Sequence, residues 1–391
     1  MNRPLIITIG IILILIVLGV WIYLLFFGTP DSPDEVFSNL GFELQTQPTT
    51  IAAPVAIPEQ VTTIDTTTEA LQQLTTRAVA GFTFVSSSST QHVRYAERGT
   101  GHIYNINLAT GVEEALSRTT IPQTAQAFFS PDGESVALVT HTNYTSNVFV
   151  GSLGDAVNLE GIQLPTDAKN VRFLNNTDIL YTLAQNGVTN GFRQNLQTLS
   201  SSQLFSFPFM NIDMTWGSNL ERMYLATKPD RNHEGFIYTI ENGDLKPATP
   251  SAYGLSALHN NNTMVITFIE DGTYISTIHP TDTEQTYLPI IAPREKCVFD
   301  ARIPNQLWCA APVTIPSTTF VDDWYKGTVT SEDDLWRVDI DSGVAELYVS
   351  FKETTGRVID VATIATSQTS TALAFINKTD QTLWLYDTTT E

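Results

Sequence analysis

Catalysis requires a nucleophile beside a base, a set of metal ligands or a cradle for phosphate, and this sequence offers few residues for any of them. His92, His102, His141, His233, His259 and His279 lie far apart with no ligand spacing between them, so only the fold could bring them to one mouth. Asp322, Asp323, Glu332, Asp333 and Asp334 carry the oxygen ligands that Ca²⁺ favours. Their spacing is not that of an EF-hand loop, however, and a solvated acidic loop is the plainer reading. The patterns G-x-S-x-G, H-E-x-x-H, the Walker loop and the Rossmann fingerprint do not occur, and "GTGHIY" (99–104) lacks the third glycine and the helix that would complete one. The sequence therefore assigns no catalytic residue, no cofactor and no metal.

Recognition has a better candidate in "PVTIPSTTFVDDWYKGTVTSEDDLW" (312–336). Here Trp324 and Tyr325 supply large amphipathic rings, flanked by Asp322, Asp323 and Lys326, a mixture suited to holding a partner protein. A second reading has the same loop folded down, so that its aromatics plug a central opening or cover an edge. The sequence leaves both open.

The elements that would carry this loop repeat. Short apolar strands begin at Val93, Val136, Ile179, Met223, Met264, Leu307 and Ala372, and successive starts differ by 43, 43, 44, 41, 43 and 65 residues. A period near 40–45 with about four strands per unit is the mark of propeller blades. A lone four-stranded sheet exposes two faces, whereas seven arranged radially bury each face against a neighbour. The expected fold is all-β, a seven-bladed β-propeller, and the long last interval places the 312–336 stretch between the second and third strands of blade six. The final unit, ending "TLWLYDTTTE", has no fourth strand, so an N-terminal segment is expected to pair with the C-terminal strands and close the ring. The stretch 54–64 is the candidate strand, and "DTTTEALQQLTTRAV" reads as a short capped helix leading inward.

Within the repeat, "FSPDGESVAL" (129–138) turns one strand into the next, with Pro131 presetting φ and Gly133 accepting a left-handed angle. This corner resembles the repeat of TolB-like (PD40-type) β-propellers. The other units keep its spacing and apolar positions without the Pro-Asp-Gly. Through "VRYAERGTGHIY", "WCAAP" and "DDWYKG" the chain also looks like single-span, membrane-anchored bacterial propellers. The first resemblance implies a protein-binding scaffold in the cell envelope, and neither brings catalytic residues.

The run from Pro4 to Phe27 contains no charged residue and is long enough to cross a bilayer as one helix. Arg3 on one side and Asp31, Asp34 and Glu35 on the other leave the N-terminus in the cytoplasm and the rest outside. The expected organisation is a cytoplasmic stub and transmembrane anchor over 1–28, a Thr/Pro-rich tether over 29–60 and the propeller over 61–391. Cys297 and Cys309 face one another across a turn, where an oxidising exterior would let them form a disulfide, and two buried free thiols are the other reading. Twenty basic against 41 acidic side chains give a formal charge of −21, which disfavours nucleic acid. These readings converge on a single-pass membrane protein whose propeller binds another envelope protein or surface assembly. The alternative is a lyase or hydrolase acting on carbohydrate or peptide at the channel mouth.

Overall fold

The computed structural model describes residues 62–63 and 70–389, apart from 87–89, 143–144, 155–157, 209–211, 217–219, 221–222, 242, 261–262, 281–284 and 315–316. The anchor expected over 1–28 and the tether over 29–60 lie outside these residues. Among the described residues no helix is long and apolar enough to cross a membrane.

The described strands form seven antiparallel sheets, one per sequence repeat. In each, the first strand pairs with the second, the second with the third and the third with the fourth. The first strands are Val79–Ser86, Thr124–Phe129, Lys169–Phe173, Ile212–Thr215, Ala252–His259, Cys297–Phe299 and Val361–Thr366. All seven runs picked out by the repeat are second strands.

Alternation explains why these sheets pack as a ring. In the second strand of blade seven, Leu373 and Phe375 point into a cluster with Trp308, Ala310 and Leu335 of blade six. Ala372, Ala374 and Ile376 point the other way, against Val79, Val93 and Tyr95 of blade one. Blades one and two, two and three, three and four, four and five, and five and six each share a cluster of the same kind. Since both faces of a strand are buried, neither can slip by one residue without placing a core side chain in the wrong interface.

Closure differs in detail from the expectation. The fourth strand of blade seven is Leu71–Gln73, paired with Leu383–Asp387, so the described residues of the expected helix, 70–79, hold a short strand and then irregular chain rather than a helix. Local capping signals lose here to a vacant strand position and to burial of Leu71 among Trp384 and Tyr386. Of the stretch 54–64, the two described residues Thr62–Thr63 pair with Val112–Ser117 and give blade one a fifth strand. Blade five also gains a strand, Glu234–Gly235, from the loop of blade four.

The Ser-Pro-Asp-Gly corner acts as a tie between blades. Ser130 Oγ donates to Asp132 at 2.5 Å, and Gly133 sits at φ 73° with its amide donating to the Ser130 carbonyl. A Cβ there would lie 2.6 Å from Val85 of blade one, a second reason for glycine. Arg94 of blade one donates to the Gly133 carbonyl at 2.6 Å, and the Asp132 amide donates to Asn176 of blade three. On the same rim Ser370 of blade seven donates to Asp300 of blade six, and Thr371 donates to Gln91 of blade one.

Cys297 and Cys309 stand opposite one another in the first two strands of blade six and are joined in a disulfide. The bond closes a short loop, with a sequence separation of 12. Loop-closure entropy of that size stabilises by about 2–3 kcal/mol. Calorimetric unfolding with and without reductant should therefore show a lower Tm in reductant, by several degrees. An unchanged Tm would mean that the bond contributes nothing.

Candidate functional site

Because neighbouring strands run antiparallel, the links from strand two to three and from one blade to the next emerge on a common rim, here called the upper rim. The blade-six insertion rises there after Gln306–Pro312 and returns at Asp333–Asp339. Its helix, Phe320–Tyr325, is short but amphipathic. Phe320, Val321 and Trp324 share one face and pack on Tyr274 of blade five, with Ile269, Ile291 and Val329 around them. Tyr274 donates to the Thr318 carbonyl, and the Arg231 amide, from blade four's loop, donates to Asp322. The insertion thus lies across blade five and touches blade four.

Its other side is fastened to blade seven. Trp324 Nε1 donates to both carboxylate oxygens of Asp360, at 2.9 and 3.2 Å, and Lys378 Nζ donates to the carbonyls of Trp324 and Val329. Lys378 also stands over the Trp324 ring, 4.5 Å from its centroid. The structure therefore separates the five residues proposed for partner binding. Asp322 and Trp324 are buried and Asp323 is half-buried, while Tyr325 and Lys326 are exposed. Trp324 fastens the loop and offers no open surface. In the acidic set, Asp322 faces Arg231, Glu332 pairs with Lys352, and Asp333 faces Lys296. Among the described residues no three His, Cys, Asp or Glu side chains gather as metal ligands would.

Beneath Trp324 lies a charged cluster that sequence reasoning missed. Lys296, Asp333 and Asp360 are each fully buried. Lys296 Nζ donates to Asp333 Oδ2, to Asp360 Oδ1 at 2.6 Å and to Ser331 Oγ at 2.9 Å. Asp360 further accepts from the amide and hydroxyl of Ser331, and Asp333 Oδ2 accepts from the Val361 amide at 2.8 Å. Burial drives the Asp333 carboxyl above the usual carboxylate range, against the pull of Lys296. Lys378 is pushed the opposite way for a cation, downward, also by burial. One signal was present: Lys296 and Asp360 each stand immediately before the first strand of a blade, an equivalent position in successive repeats.

The same turn, Arg294–Lys296, spreads along the inner strands. Arg294 pairs with Asp213 and reaches Thr215, both on the first strand of blade four, and also pairs with Glu295. Tyr325 donates its hydroxyl to Glu295 at 2.6 Å. Farther along the inner strands, Arg172 of blade three donates to the Trp216 carbonyl, and His259 ends the first strand of blade five. His92 and His102 belong to blade one, His141 to blade two, and His279, like His259, to blade five, while His233 pairs with Asp230 in blade four's loop. They do not converge.

Solved β-propellers resemble this chain. The β-propeller domain of the Trilobed protease from Pyrococcus furiosus, described as having an open velcro topology, superposes with a TM-score of 0.51 at 10% identity, over 79% of this chain and 96% of that one. An oligogalacturonate lyase from Vibrio parahaemolyticus gives 0.54 at 11%, over 81% and 93%. A TolB from Acinetobacter baumannii is 18% identical over about half of each chain, 53% and 52%, with a TM-score of 0.38. No protein-family model and no curated relative matches the sequence. At such identities the likeness shows the fold alone, a β-propeller, and the count of seven blades comes from the sheets themselves. Here the ring is closed by hydrogen bonds between Leu71–Gln73 and Leu383–Asp387.

Proposed function

We propose that the chain is a membrane-tethered, extracytoplasmic β-propeller that binds another protein of the cell envelope through its upper rim over blades four to six. The observation that carries this reading is the fastening of the insertion. A loop held at Asp360, Lys378 and Arg231 presents its outer residues in one conformation, so little ordering entropy opposes binding. Tyr325 and Lys326 stand on its open side. Phe236 and Tyr253 open onto the same rim from blades four and five, and all three aromatics are about two-fifths exposed, at 41, 42 and 42% for Phe236, Tyr253 and Tyr325. Aromatic rings beside a few charges are what protein partners use as anchors. The uncharged run of 4–27 supports the tether, and the formal charge of −21 argues against nucleic acid as the partner.

The test is recovery of partners from detergent-solubilised membranes with the full-length chain. Changing Phe236, Tyr325 and Lys326 together to Ala should lower recovery at least tenfold while leaving the unfolding midpoint within a few degrees. Unaltered recovery would remove this rim as the binding surface. A second reading, a carbohydrate- or peptide-directed lyase or hydrolase at the channel mouth, draws on the polar groups Asp213, Arg294, Glu295 and Tyr325 gathered there. It would be favoured if no protein co-purified with either form.

A further inference from the structure

We propose that Lys296 and Asp360 condense into an intramolecular amide, with Asp333 as the acid–base group, so that blades six and seven are joined covalently beneath the insertion. The cluster has the parts such a reaction requires. The nucleophile and the carboxyl lie 2.6 Å apart, are 64 residues apart in sequence and are fully buried, so the two reactants are held together with water excluded. Attack of the amine on Asp360 Cγ places negative charge on the Asp360 oxygens. Those oxygens already receive Trp324 Nε1 and the amide and hydroxyl of Ser331, donors aimed where the tetrahedral intermediate needs them. Asp333 meets Lys296 with Oδ2, and its Oδ1 is buried without a hydrogen-bond partner, leaving an oxygen free to take and pass on a proton. Burial holds the Asp333 carboxyl above its usual range, which suits a group that must carry a proton at neutral pH.

The step balances without an outside reagent. An ammonium and a carboxylate become an amide and one water: the Nζ–Cγ bond forms and one Cγ–O bond of Asp360 breaks. Two of the three ammonium protons, relayed through Asp333, leave with that oxygen, and the third stays on the amide nitrogen. Charge balances too. Lys296 and Lys378 facing Asp333 and Asp360 before the reaction become Lys378 and Asp333 after it. Asp360 is the electrophile rather than Asp333 because the oxyanion donors surround Asp360, whereas Asp333 has only the Val361 amide besides Lys296.

Peptide mapping of the purified full-length chain, after reduction and alkylation, tests this. Trypsin does not cleave after an amidated lysine. The expected product is a branched peptide joining the segment with Lys296 to the one with Asp360, lighter than the sum of its parts by one water, about 18 Da. Asp333→Asn should yield the two peptides separately, with cleavage after Lys296. Separate peptides from the unaltered chain would overturn the proposal, and that measurement requires no variant to fold. A branched peptide in Asp333→Asn at the unaltered yield would remove Asp333 from the relay.

Discussion

Replacing Lys296 with Met should lower the stability of the propeller by about 3–5 kcal/mol relative to Asp333→Asn, which also lacks the amide, the usual penalty for stripping the partner from a buried charge. The side chains of Lys296, Asp333 and Asp360 are each 0% exposed, so no water replaces the ammonium when it is removed. Two carboxyls are then left side by side, with Lys378 3.9 Å from one of them. Asp333 is already forced above its ordinary range by burial with Lys296 present, and removing the ammonium takes away the charge that opposes that rise. The sign of the pH dependence follows. A carboxyl whose folded pKa exceeds its unfolded value binds protons preferentially in the folded state, so stability falls as pH rises through the interval between the two. The deficit of the variant should therefore be smaller near pH 5 than at pH 8. Asp333→Asn is the control, since it also prevents the proposed amide yet leaves Lys296 paired with Asp360. Urea unfolding that showed equal losses for the two variants would mean that stranded carboxylates are not the cause.

How much of this was legible beforehand depended on how local each signal is. Blade number, second strands and the strand-reversing corner could all be read, because apolar alternation and a Pro-Asp-Gly turn are encoded within about ten residues. The turn's second role could not. Gly133 meeting Arg94 and Asp132 meeting Asn176 are contacts between blades, set by where neighbouring corners lie on the rim. The closing strand was misplaced for a related reason. Leu71–Gln73 carries little strand signal of its own and takes that form because Leu383–Asp387 has an unfilled edge.

The insertion divides in the same way. The sequence marked Trp324 and Tyr325 as a pair of recognition aromatics, and the structure gives them opposite surroundings. A helix turns each residue by about 100° from the last, which sets Trp324 between Phe320 and Val321 on one arc and carries Tyr325 past its edge. Trp324 falls on the face with Phe320 and Val321, and Tyr325 falls outside it. The partners that hold Trp324, namely Asp360 and Lys378, come from blade seven, and no spacing rule links them to position 324. Lys296 was equally hidden, since a lone lysine in "APREKCVF" reads as a solvated loop residue until closure of the ring surrounds it.

Acidification from pH 6.5 to 4 should remove roughly 3 kcal/mol of stability through His259. Its ring lies against Tyr224, with centroids 3.7 Å apart, and Nε2 is buried with no hydrogen-bond partner. Burial, assisted by the positive charges of Arg172 and Arg294, pushes the imidazole from its ordinary 6.5 down to about 4. The folded state thus keeps His259 neutral through an interval in which the unfolded chain already binds a proton. Stability contributed by the neutral ring is complete above pH 6.5, declines as pH falls and levels off below about 4. His279, lowered by burial as well, adds in the same direction. Asp178 and Asp300, held below the usual carboxylate range, act only at more acidic pH, where they in turn must be protonated. The intervals are therefore separable. In denaturant titrations at half-unit steps, His259→Gln, which keeps a planar polar group but does not titrate, should flatten most of the decline between pH 6.5 and 4. It should leave the fall below pH 4 in place. If the variant declined as steeply as the unaltered chain across the first interval, the inner-strand histidine would not be the group that makes this propeller sensitive to mild acid.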